Sequence, residues 1–333
     1  MANHGLIGPH DVAALQPVAA RYATALTPDL VRLIDRSDPH DPLARQFIPS
    51  ADEAATTPHQ HDDPIGDEAY SPVPGVVHRY RDRALLKLVH TCPVYCRFCF
   101  RRAMVGPGGD ALNGAALARA LAYIADHEDI VEVILTGGDP LMLSARRIEY
   151  VSQRLAAMAH VQLLRWHSRV PVVDAARITP EVIAALSAVA GTCPVTVVVH
   201  TNHARELTQP ARAALRAMRE AGLILRSQSV LLAGVNDDAA TLADLMRALL
   251  SVGVQPYHLH HLDPAPGTAH FHVPIARGQA LMDALRTIVS GLALPHYVVD
   301  IPGGYGKVPL TPSTWSPDDG TVSDHQGTKH RIT

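Results

Sequence analysis

Beyond Arg83 the sequence alternates between short apolar runs and longer segments that carry apolar residues at helical spacing. The apolar runs begin at Leu85, Val131, Val161, Val195, Ile224 and Pro256. The helix-like segments are Ala115 to Asp126, Ala145 to Met158, Pro180 to Val189, Pro210 to Ala221, Ala239 to Val252 and Ala276 to Ile288. Strands that are buried on both faces and followed by amphipathic helices form parallel sheets with right-handed crossovers. The six units therefore predict an α/β protein whose sheet is either open and doubly wound or curled into a barrel.

The residues before this repeat have a different character. The segment from Ala51 to Gly75 is rich in Asp, His, Pro and Thr and has little apolar periodicity, which is typical of a connecting loop. Residues 11–48 contain helix-like patterns that are too short to form a core of their own, so we expect them to pack against the repeat. Ligands of parallel sheets gather at the carboxyl ends of the strands, which makes polar residues just after the apolar runs candidates for a site.

The overall composition argues against several classes of protein. The chain has 333 residues, a formal net charge of -3 and interspersed charges, so we expect no nucleic-acid partner. No run approaches the roughly 20 apolar residues that cross a bilayer, and the first residues lack a signal pattern. These features predict a cytoplasmic protein that does not bind a membrane.

Three of the four cysteines, Cys92, Cys96 and Cys99, lie within eight positions. Three thiolates on one loop can hold three irons of a 4Fe-4S cluster and leave the fourth iron free to bind a small molecule such as S-adenosylmethionine (SAM). A zinc site is the competing interpretation, because one of the 20 histidines could supply a fourth ligand. The spacing favours the cluster. Cys193 stands alone beside an apolar run and is expected to be a buried thiol.

The residues around the three cysteines resemble those of a known family. The segment TCPVYCRFCFRR at 91–102 is similar to the cluster loop of the lysine 2,3-aminomutase family of radical SAM enzymes. The similarity continues in order through SPVPG at 71–75, TGGDPL at 136–141, QSVLL at 228–232 and DIPGGYGK at 300–307. It covers nearly all of residues 40–310 and makes zinc a remote alternative.

The resemblance implies a partial (β/α)6 radical SAM barrel with an N-terminal helical extension and a C-terminal segment that binds pyridoxal 5′-phosphate (PLP). In this chain the three parts would be an extension and linker at 1–75, the barrel at 76–291, and the PLP segment with a polar tail at 292–333. The implied activity is an isomerase reaction that moves the amino group of L-lysine from C2 to C3. No ordinary acid or base removes the unactivated C3 hydrogen, so the family uses a radical from the cluster and SAM, with PLP holding the migrating nitrogen.

The resemblance also assigns residues to the cofactors. Lys307 would bind PLP covalently, after a glycine-rich approach that lets the backbone come close to a cofactor. Arg79 and Arg83 would bind the PLP phosphate, for which guanidinium groups are suited. Without the family context these residues would be interpreted as surface or turn groups. The family's SAM contacts correspond here to Gly137, Gly138, Asp139, His200 and Gln228.

Three further residues bear on the substrate. By resemblance, Arg101 would bind the carboxylate of the amino acid, while Asp263 and Asp300 would flank its distal ammonium, since a buried cation needs compensation. A relative that acts on glutamate would have no use for two carboxylates there, so L-lysine is favoured. The alternatives are an aminomutase for arginine or glutamate, and a non-catalytic iron-sulfur or zinc protein.

The chain departs from the family pattern at Ala103, where a Glu is expected, and at Ala175 and Ala204, where a Pro is usual. These positions bear on loop geometry rather than on the assigned roles. The length of this chain is similar to that of family members that supply (R)-β-lysine for the modification of elongation factor P. Two physiological roles therefore stay open, lysine catabolism and the modification of elongation factor P. The resemblance further implies an external electron donor and a homo-oligomer.

Overall fold

A computed structural model describes residues 5–107, 111–310, 315–316, 318, 321–323 and 328–331. The strands are β1 (Val76–Tyr80), β2 (Arg83–Val89), β3 (Glu132–Gly137), β4 (Leu163–Ser168), β5 (Val195–His200), β6 (Ile224–Val230), β7 (Gln255–His260), β8 (His296–Ile301), β9 (Gly306–Pro309), β10 (Trp315–Ser316), β11 (Thr321–Ser323) and β12 (Lys329–Arg331). The α-helices are α1 (Pro9–Arg21), α2 (Pro28–Leu33), α3 (Pro42–Phe47), α4 (Gly114–Ala125), α5 (Ala145–Ala156), α6 (Val170–Val173), α7 (Pro180–Ser187), α8 (Gln209–Glu220), α9 (Ala239–Leu250) and α10 (Ile275–Ile288).

Strands β1 to β9 form one sheet in which each strand lies beside its neighbours in the sequence. Strands β2 to β8 are parallel, and the outer strands β1 and β9 run antiparallel to their neighbours. A doubly wound sheet reverses its strand order at a switch point, whereas this order proceeds in one direction. The sheet is therefore of the barrel type, which decides between the two forms that the periodicity left open. Strands β10 to β12 form a small antiparallel sheet of their own.

The two outer strands of the large sheet meet through a side chain. The backbone N–H of Lys307 on β9 donates to the hydroxyl oxygen of Tyr80 on β1, with N and O 2.7 Å apart. A Cβ added to Gly306, whose φ is +94°, would lie 2.9 Å from the same oxygen, so glycine is required there. Within the described residues β1 and β9 share no backbone ladder. The barrel is therefore partial, as the resemblance implies.

The helices between the parallel strands begin where a polar side chain caps the first turn. Asn113, Ser144, Thr179, Thr208 and Asp238 each accept a hydrogen bond from a backbone amide at the start of α4, α5, α7, α8 and α9. The apolar faces of these helices pack with the sheet into one continuous core. In the part of the chain that the structure describes, no helix is long and apolar enough to cross a membrane.

The predicted repeat agrees with the observed elements. The strands of the repeat begin within two residues of the predicted positions, and the helices within one. The repeat did not include β8, a seventh parallel strand, because a glycine-containing turn at 302–305 follows it instead of a helix. Cys193 is buried in the core, as expected.

The N-terminal helices pack against the barrel, as predicted. The hydroxyl of Tyr22 donates to the carbonyl of Pro266 at 3.1 Å, and that of Thr27 donates to the carbonyl of Val173 at 2.6 Å. Both acceptors follow strands of the barrel in the sequence. The linker that leads from these helices into β1 is thereby held over the carboxyl ends of the strands, where it contributes to the site.

Candidate active site

A cavity of about 730 Å³ lies inside the curl of the sheet, and residues from all nine strands line it. Every residue that was predicted to bind the cluster, a cofactor or the substrate also lines this cavity. These residues are Cys92, Cys96, Cys99, Arg79, Arg83, Lys307, Gly137, Gly138, Asp139, His200, Gln228, Arg101, Asp263 and Asp300. Residues that are far apart in the sequence thus share one space, although their individual contacts differ from the predictions in several places.

The loop that carries the three cysteines follows β2 and is held by buried ion pairs. Glu53 is buried and accepts hydrogen bonds from Arg97, with Nε and Oε1 2.9 Å apart, and from Arg102. The backbone N–H of Arg97 donates to the carbonyl of Gln46 at 2.8 Å. Buried charges are tolerated only when they are paired and hydrogen-bonded, as they are here. The linker before the barrel therefore fixes the shape of the cysteine loop.

The three thiols fit a 4Fe-4S cluster. No three His, Cys, Asp or Glu side chains among the described residues are placed to hold one metal ion, but a cubane needs no such convergence, because each thiolate binds a different iron. Burial raises the pKa of all three thiols, that of Cys99 to about 11, so they carry protons until a metal binds. Nη1 of Arg169 lies 2.9 Å from Sγ of Cys96 and provides positive charge beside the thiolate.

The turn after β3 packs directly against the cysteine loop. A Cβ added to Gly138 would lie 2.4 Å from the carbonyl oxygen of Thr91. One added to Gly137, whose φ is +120°, would lie 2.3 Å from the carbonyl oxygen of Val89. Glycine is required at both positions because two segments of backbone meet there. The two glycines that were predicted to contact SAM thus let this turn lie directly against the end of β2 and the start of the cysteine loop.

Asp139, which was predicted to contact SAM, is buried and makes four hydrogen bonds within the protein. Its carboxylate accepts from the hydroxyl of Ser168 at 2.7 Å and from the backbone N–H groups of Arg169 at 2.7 Å, Val170 at 3.1 Å and Leu141 at 3.0 Å. Burial raises its pKa. The side chain therefore fixes the end of β4 at the cavity.

His200 and Gln228 lie side by side at the ends of β5 and β6, where the two strands pair them in register. The Nε2 atom of His200 is buried and has no hydrogen-bond partner in the described part of the chain. Burial and the charge of Arg169 hold the pKa of His200 well below its usual value, so the ring is neutral. Its free nitrogen is available to a ligand in the cavity.

Lys307 on β9 is paired in register with Asp300 on β8. Its Nζ donates to the Asp300 carboxylate and lies 3.2 Å from Nδ1 of His260 on β7. Burial acts to raise the pKa of Asp300, but the contact with His260 and the charge of Lys307 outweigh it and hold the pKa well below its usual value. The amine that Asp300 binds here is therefore that of Lys307. Sequence reasoning missed His260, because one histidine on a buried strand gives no signal.

Asp67 joins the arginines that were predicted to bind the PLP phosphate and the substrate carboxylate. Its buried carboxylate accepts from Nη2 of Arg79 at 3.2 Å and from Nη2 of Arg101 at 2.8 Å, and Nζ of Lys87 lies 4.0 Å away. Three cations thus surround one anion, and their excess positive charge favours anionic ligands. Sequence reasoning missed Asp67, because it lies in the segment that was interpreted only as a connecting loop.

Arg83 and Asp263 complete the predicted set. Arg83 at the start of β2 packs over the ring of Tyr80, with Cζ 3.9 Å from the ring centroid, and its Nη1 donates to Asp82 at 2.8 Å. Oδ1 of Asp263 is buried and lacks a partner among the described residues. Burial and the nearby Asp300 raise the pKa of Asp263 to about 7. A cationic ligand would supply the compensation that this carboxyl group lacks.

Several buried polar atoms that belong to cavity-lining residues have no partner within the described ranges. They are Nε of Arg79, Arg101 and Arg169, Nε2 of His167 and His200, and Oδ1 of Asp263. Buried polar atoms are nearly always hydrogen-bonded, so such a group marks a place where a ligand binds. The arginine donors suit phosphate and carboxylate groups, and Asp263 suits an amine. The residues present therefore fit PLP, SAM and an amino acid with a second amine.

Comparison with known proteins adds independent findings. A family model described as Lysine-2,3-aminomutase matches residues 282–328, and one described as 4Fe-4S single cluster domain matches residues 80–171. The L-lysine 2,3-aminomutase of Acetoanaerobium sticklandii is 39% identical over 87% of this chain and 69% of the relative. That of Clostridium subterminale is 38% identical over the same shares, and that of Escherichia coli is 39% identical over 87% of this chain and 83% of the relative.

A partial parallel barrel with three spaced cysteines after its first parallel strand, together with the match to a 4Fe-4S domain, defines the class of radical SAM enzymes. The three L-lysine 2,3-aminomutases indicate one family within this class, because the chain is 38–39% identical to them over more than two thirds of their length. The chain belongs to the lysine 2,3-aminomutase family, and the resemblance of its motifs is thereby confirmed.

Proposed function

We propose that this protein is an L-lysine 2,3-aminomutase, an isomerase that converts lysine to β-lysine with a 4Fe-4S cluster, SAM and PLP. One observation carries the proposal: the cysteine triplet, Lys307 and Asp263 line the same cavity. A site for a radical-generating cluster, a lysine suited to PLP and a carboxyl group suited to an amine thus line one cavity. Membership of the family supports the same reaction.

Each cofactor has a group of residues that would hold it. The cysteine triplet would bind the cluster, the turn at 137–139 with His200 and Gln228 would bind SAM, and Lys307 with Arg79 and Arg83 would bind PLP. When bound, the cluster and SAM supply one-electron chemistry that removes hydrogen from an unactivated carbon, and PLP supplies a carbonyl carbon that carries the migrating nitrogen. The protein supplies position and charge, as follows.

Two residues would hold the substrate at its two ends. Arg101 is fixed by Asp67 through Nη2, while its Nε has no partner within the described residues and can donate to the substrate carboxylate. Asp263 would accept from the distal ammonium, whose charge would lower the pKa of this carboxyl group from about 7 and keep it ionised. Fixing both ends places the carbon that loses hydrogen at one position.

The acidic residues near Lys307 favour lysine over other amino acids. Glutamate would bring its side-chain carboxylate beside those of Asp263 and Asp300, and like charges repel one another in a buried site. Arginine would bring a cation, but its guanidinium is larger than an ammonium and spreads five donors over a plane, and Asp300, the other carboxylate nearby, is already bound to Lys307. Lysine needs one acceptor, which Asp263 provides.

We also propose the organisation that the reaction requires. The extension at 1–75, the barrel at 76–291 and the PLP segment at 292–333 would act together in a cytoplasmic homo-oligomer that takes electrons from an external donor. The ion pairs from Glu53 to the cysteine loop and the pairing of β8 with β7 support joint action of the three parts. A cluster that must be reduced before each radical forms supports the donor.

Anaerobic turnover tests the proposal. Reduced, cluster-loaded protein with L-lysine, SAM and PLP should form β-lysine, chiral chromatography should give one configuration, and Cys96→Ala should form none. Arginine and glutamate, compared with lysine by kcat/KM, should be poorer substrates. Loaded wild-type protein that forms no β-amino acid from lysine would overturn the proposal, and product from arginine or glutamate alone would replace lysine as the substrate.

A further inference from the structure

The amine of Lys307 has a second partner besides Asp300. Nδ1 of His260 lies 3.2 Å from Nζ of Lys307 and 3.7 Å from Oδ2 of Asp300. The three side chains come from β7, β8 and β9, which are adjacent strands of the sheet. The amine of the lysine assigned to PLP is thus within hydrogen-bond reach of both a carboxylate and an imidazole.

The surroundings of this triad keep His260 uncharged. The titratable groups that face it are His258 on its own strand, His167 on β4, His200 on β5, Asp300 on β8 and Lys307 on β9. Burial lowers the pKa of the three neighbouring histidines, so they contribute no charge at neutral pH. Burial and the charge of Lys307 also lower the pKa of His260. Its ring is therefore neutral and can accept a proton.

We propose that His260 is the proton acceptor for Lys307 when this lysine exchanges between its free amine and its covalent bond to PLP. The inference rests on the proposed function, because it takes Lys307 as the residue that binds PLP. A protonated amine is not a nucleophile, and Asp300 by itself stabilises the protonated form. Nδ1 of His260 lies at hydrogen-bond distance from Nζ of Lys307 and can accept this proton.

Atoms and charge balance in this step. Lys307 passes one ammonium proton to Nδ1 of His260, and the freed lone pair forms a C–N bond to the PLP aldehyde carbon. The aldehyde oxygen leaves as water with two of the three ammonium protons, one of them returned by His260, and the third stays on the nitrogen of the new C=N bond. No electrons are gained or lost. When a substrate ammonium displaces Lys307, His260 takes one of its three protons, a second passes from the substrate nitrogen to the lysine nitrogen while both nitrogens are bound to the same carbon, and the third stays on the new C=N bond. His260 then returns its proton to the departing lysine, which leaves as an ammonium.

PLP attachment can be followed without radical chemistry. Cluster-loaded protein freed of PLP is mixed with PLP in the absence of SAM, and absorbance reports the C=N bond, while borohydride reduction and peptide mapping count PLP on Lys307. Wild-type protein should attach PLP at a rate that varies little from roughly pH 7 to 9, because neutral His260 accepts the proton throughout. His260→Gln should be slower by about 100-fold near neutral pH, and its rate should rise about tenfold per pH unit as the free amine forms.

A matched control and a rescue separate proton transfer from packing. His258 projects from the same strand, with its ring centroid 5.3 Å from that of His260, and His258→Gln should stay within about twofold of wild type. Added imidazole should restore attachment in His260→Ala by about tenfold or more. Circular dichroism melting checks that each variant folds, and the wild-type pH profile tests the inference without any variant.

The outcomes are distinguishable. A wild-type rate that rises tenfold per pH unit, a His260→Gln rate equal to wild type, or a His260→Ala variant that imidazole does not rescue would each overturn the role of His260. If wild-type protein does not attach PLP to Lys307 at all, the proposed function fails instead.

Discussion

At the scale of single residues, Asp67 compensates a buried group of three cations. Asp67→Asn would leave Arg79, Arg101 and Lys87 without their shared carboxylate. Removing one partner of a buried charge pair costs about 3–5 kcal/mol, so the melting temperature should fall by several degrees. The KM for lysine should rise about tenfold, because Arg101 loses the contact that orients it. Thermal unfolding and steady-state kinetics measure the two effects.

The control for this variant is an exposed ion pair elsewhere on the protein. Arg81 and Asp129 lie at the surface, with Nε and Oδ2 3.2 Å apart, and exposed pairs contribute little. Asp129→Asn should therefore change the free energy of unfolding by no more than about 0.5 kcal/mol and leave KM unchanged. An Asp67→Asn protein that matched this control in both measurements would show that the carboxylate does not organise the site.

Asp263 should give the protein a defined pH dependence. Burial and Asp300 raise its pKa to about 7, whereas an unfolded aspartate titrates near about 4. The folded, substrate-free protein therefore binds this proton more tightly than the unfolded chain, and the contribution of Asp263 to the free energy of unfolding should fall as pH rises from about 4 to about 7. Asp263→Asn should lack this fall. Substrate affinity should show the opposite trend, because the ammonium needs the ionised carboxylate.

Thermal unfolding and the KM for lysine, both measured from about pH 4 to about pH 7, test the direction of these two pH dependences. Relative to Asp263→Asn, wild-type protein should lose stability as pH rises, because the histidines whose pKa is lowered by burial are common to both proteins. The affinity of the wild type for lysine should increase over the same range, while Asp263→Asn should have a higher KM that is nearly independent of pH. Parallel pH curves for the two proteins would mean that Asp263 titrates normally and does not bind the substrate amine.

At the scale of elements, the turn after β3 and the cysteine loop support each other. In Gly138→Ala the new Cβ would meet the carbonyl oxygen of Thr91 at 2.4 Å, so the cysteine loop must move. Overpacking of this kind costs about 1–3 kcal/mol. We expect the displaced loop to bind the cluster poorly, with iron and sulfide per chain reduced about twofold or more after anaerobic reconstitution.

Gly114 provides the comparison for that substitution. It lies at the start of α4, and a Cβ added there would meet no atom of the described residues within 4 Å, apart from its chain neighbours and its own helix. Gly114→Ala should therefore retain wild-type iron content and stability. Normal iron content in Gly138→Ala would show that the loop adapts to the added methyl group and that the tight contact is not needed for the cluster.

Elements with local signals could be predicted from the sequence, and contacts between distant segments could not. Apolar periodicity and capping residues such as Asn113 and Asp238 specify each helix within its own few residues. Asp67 and Glu53 come from a segment without periodicity, and their importance depends on arginines that only the fold brings near them. The contact of His260 with Lys307 likewise depends on how β7, β8 and β9 align. The resemblance supplied residue roles, but not these supporting contacts.

At the scale of the whole molecule, Tyr80 links the two outer strands of the partial barrel by accepting from the backbone N–H of Lys307. In Tyr80→Phe this half-buried donor would lose its acceptor, at a cost of about 1 kcal/mol, and the backbone of β9 would then be bonded, among the described strands, to β8 alone. We expect faster hydrogen exchange of the β9 amides and faster loss of PLP, measured by mass spectrometry and absorbance. Tyr150 on α5 is half exposed, so Tyr150→Phe should change neither. Exchange in β9 that is the same in both variants would mean that the barrel keeps its shape without this bond.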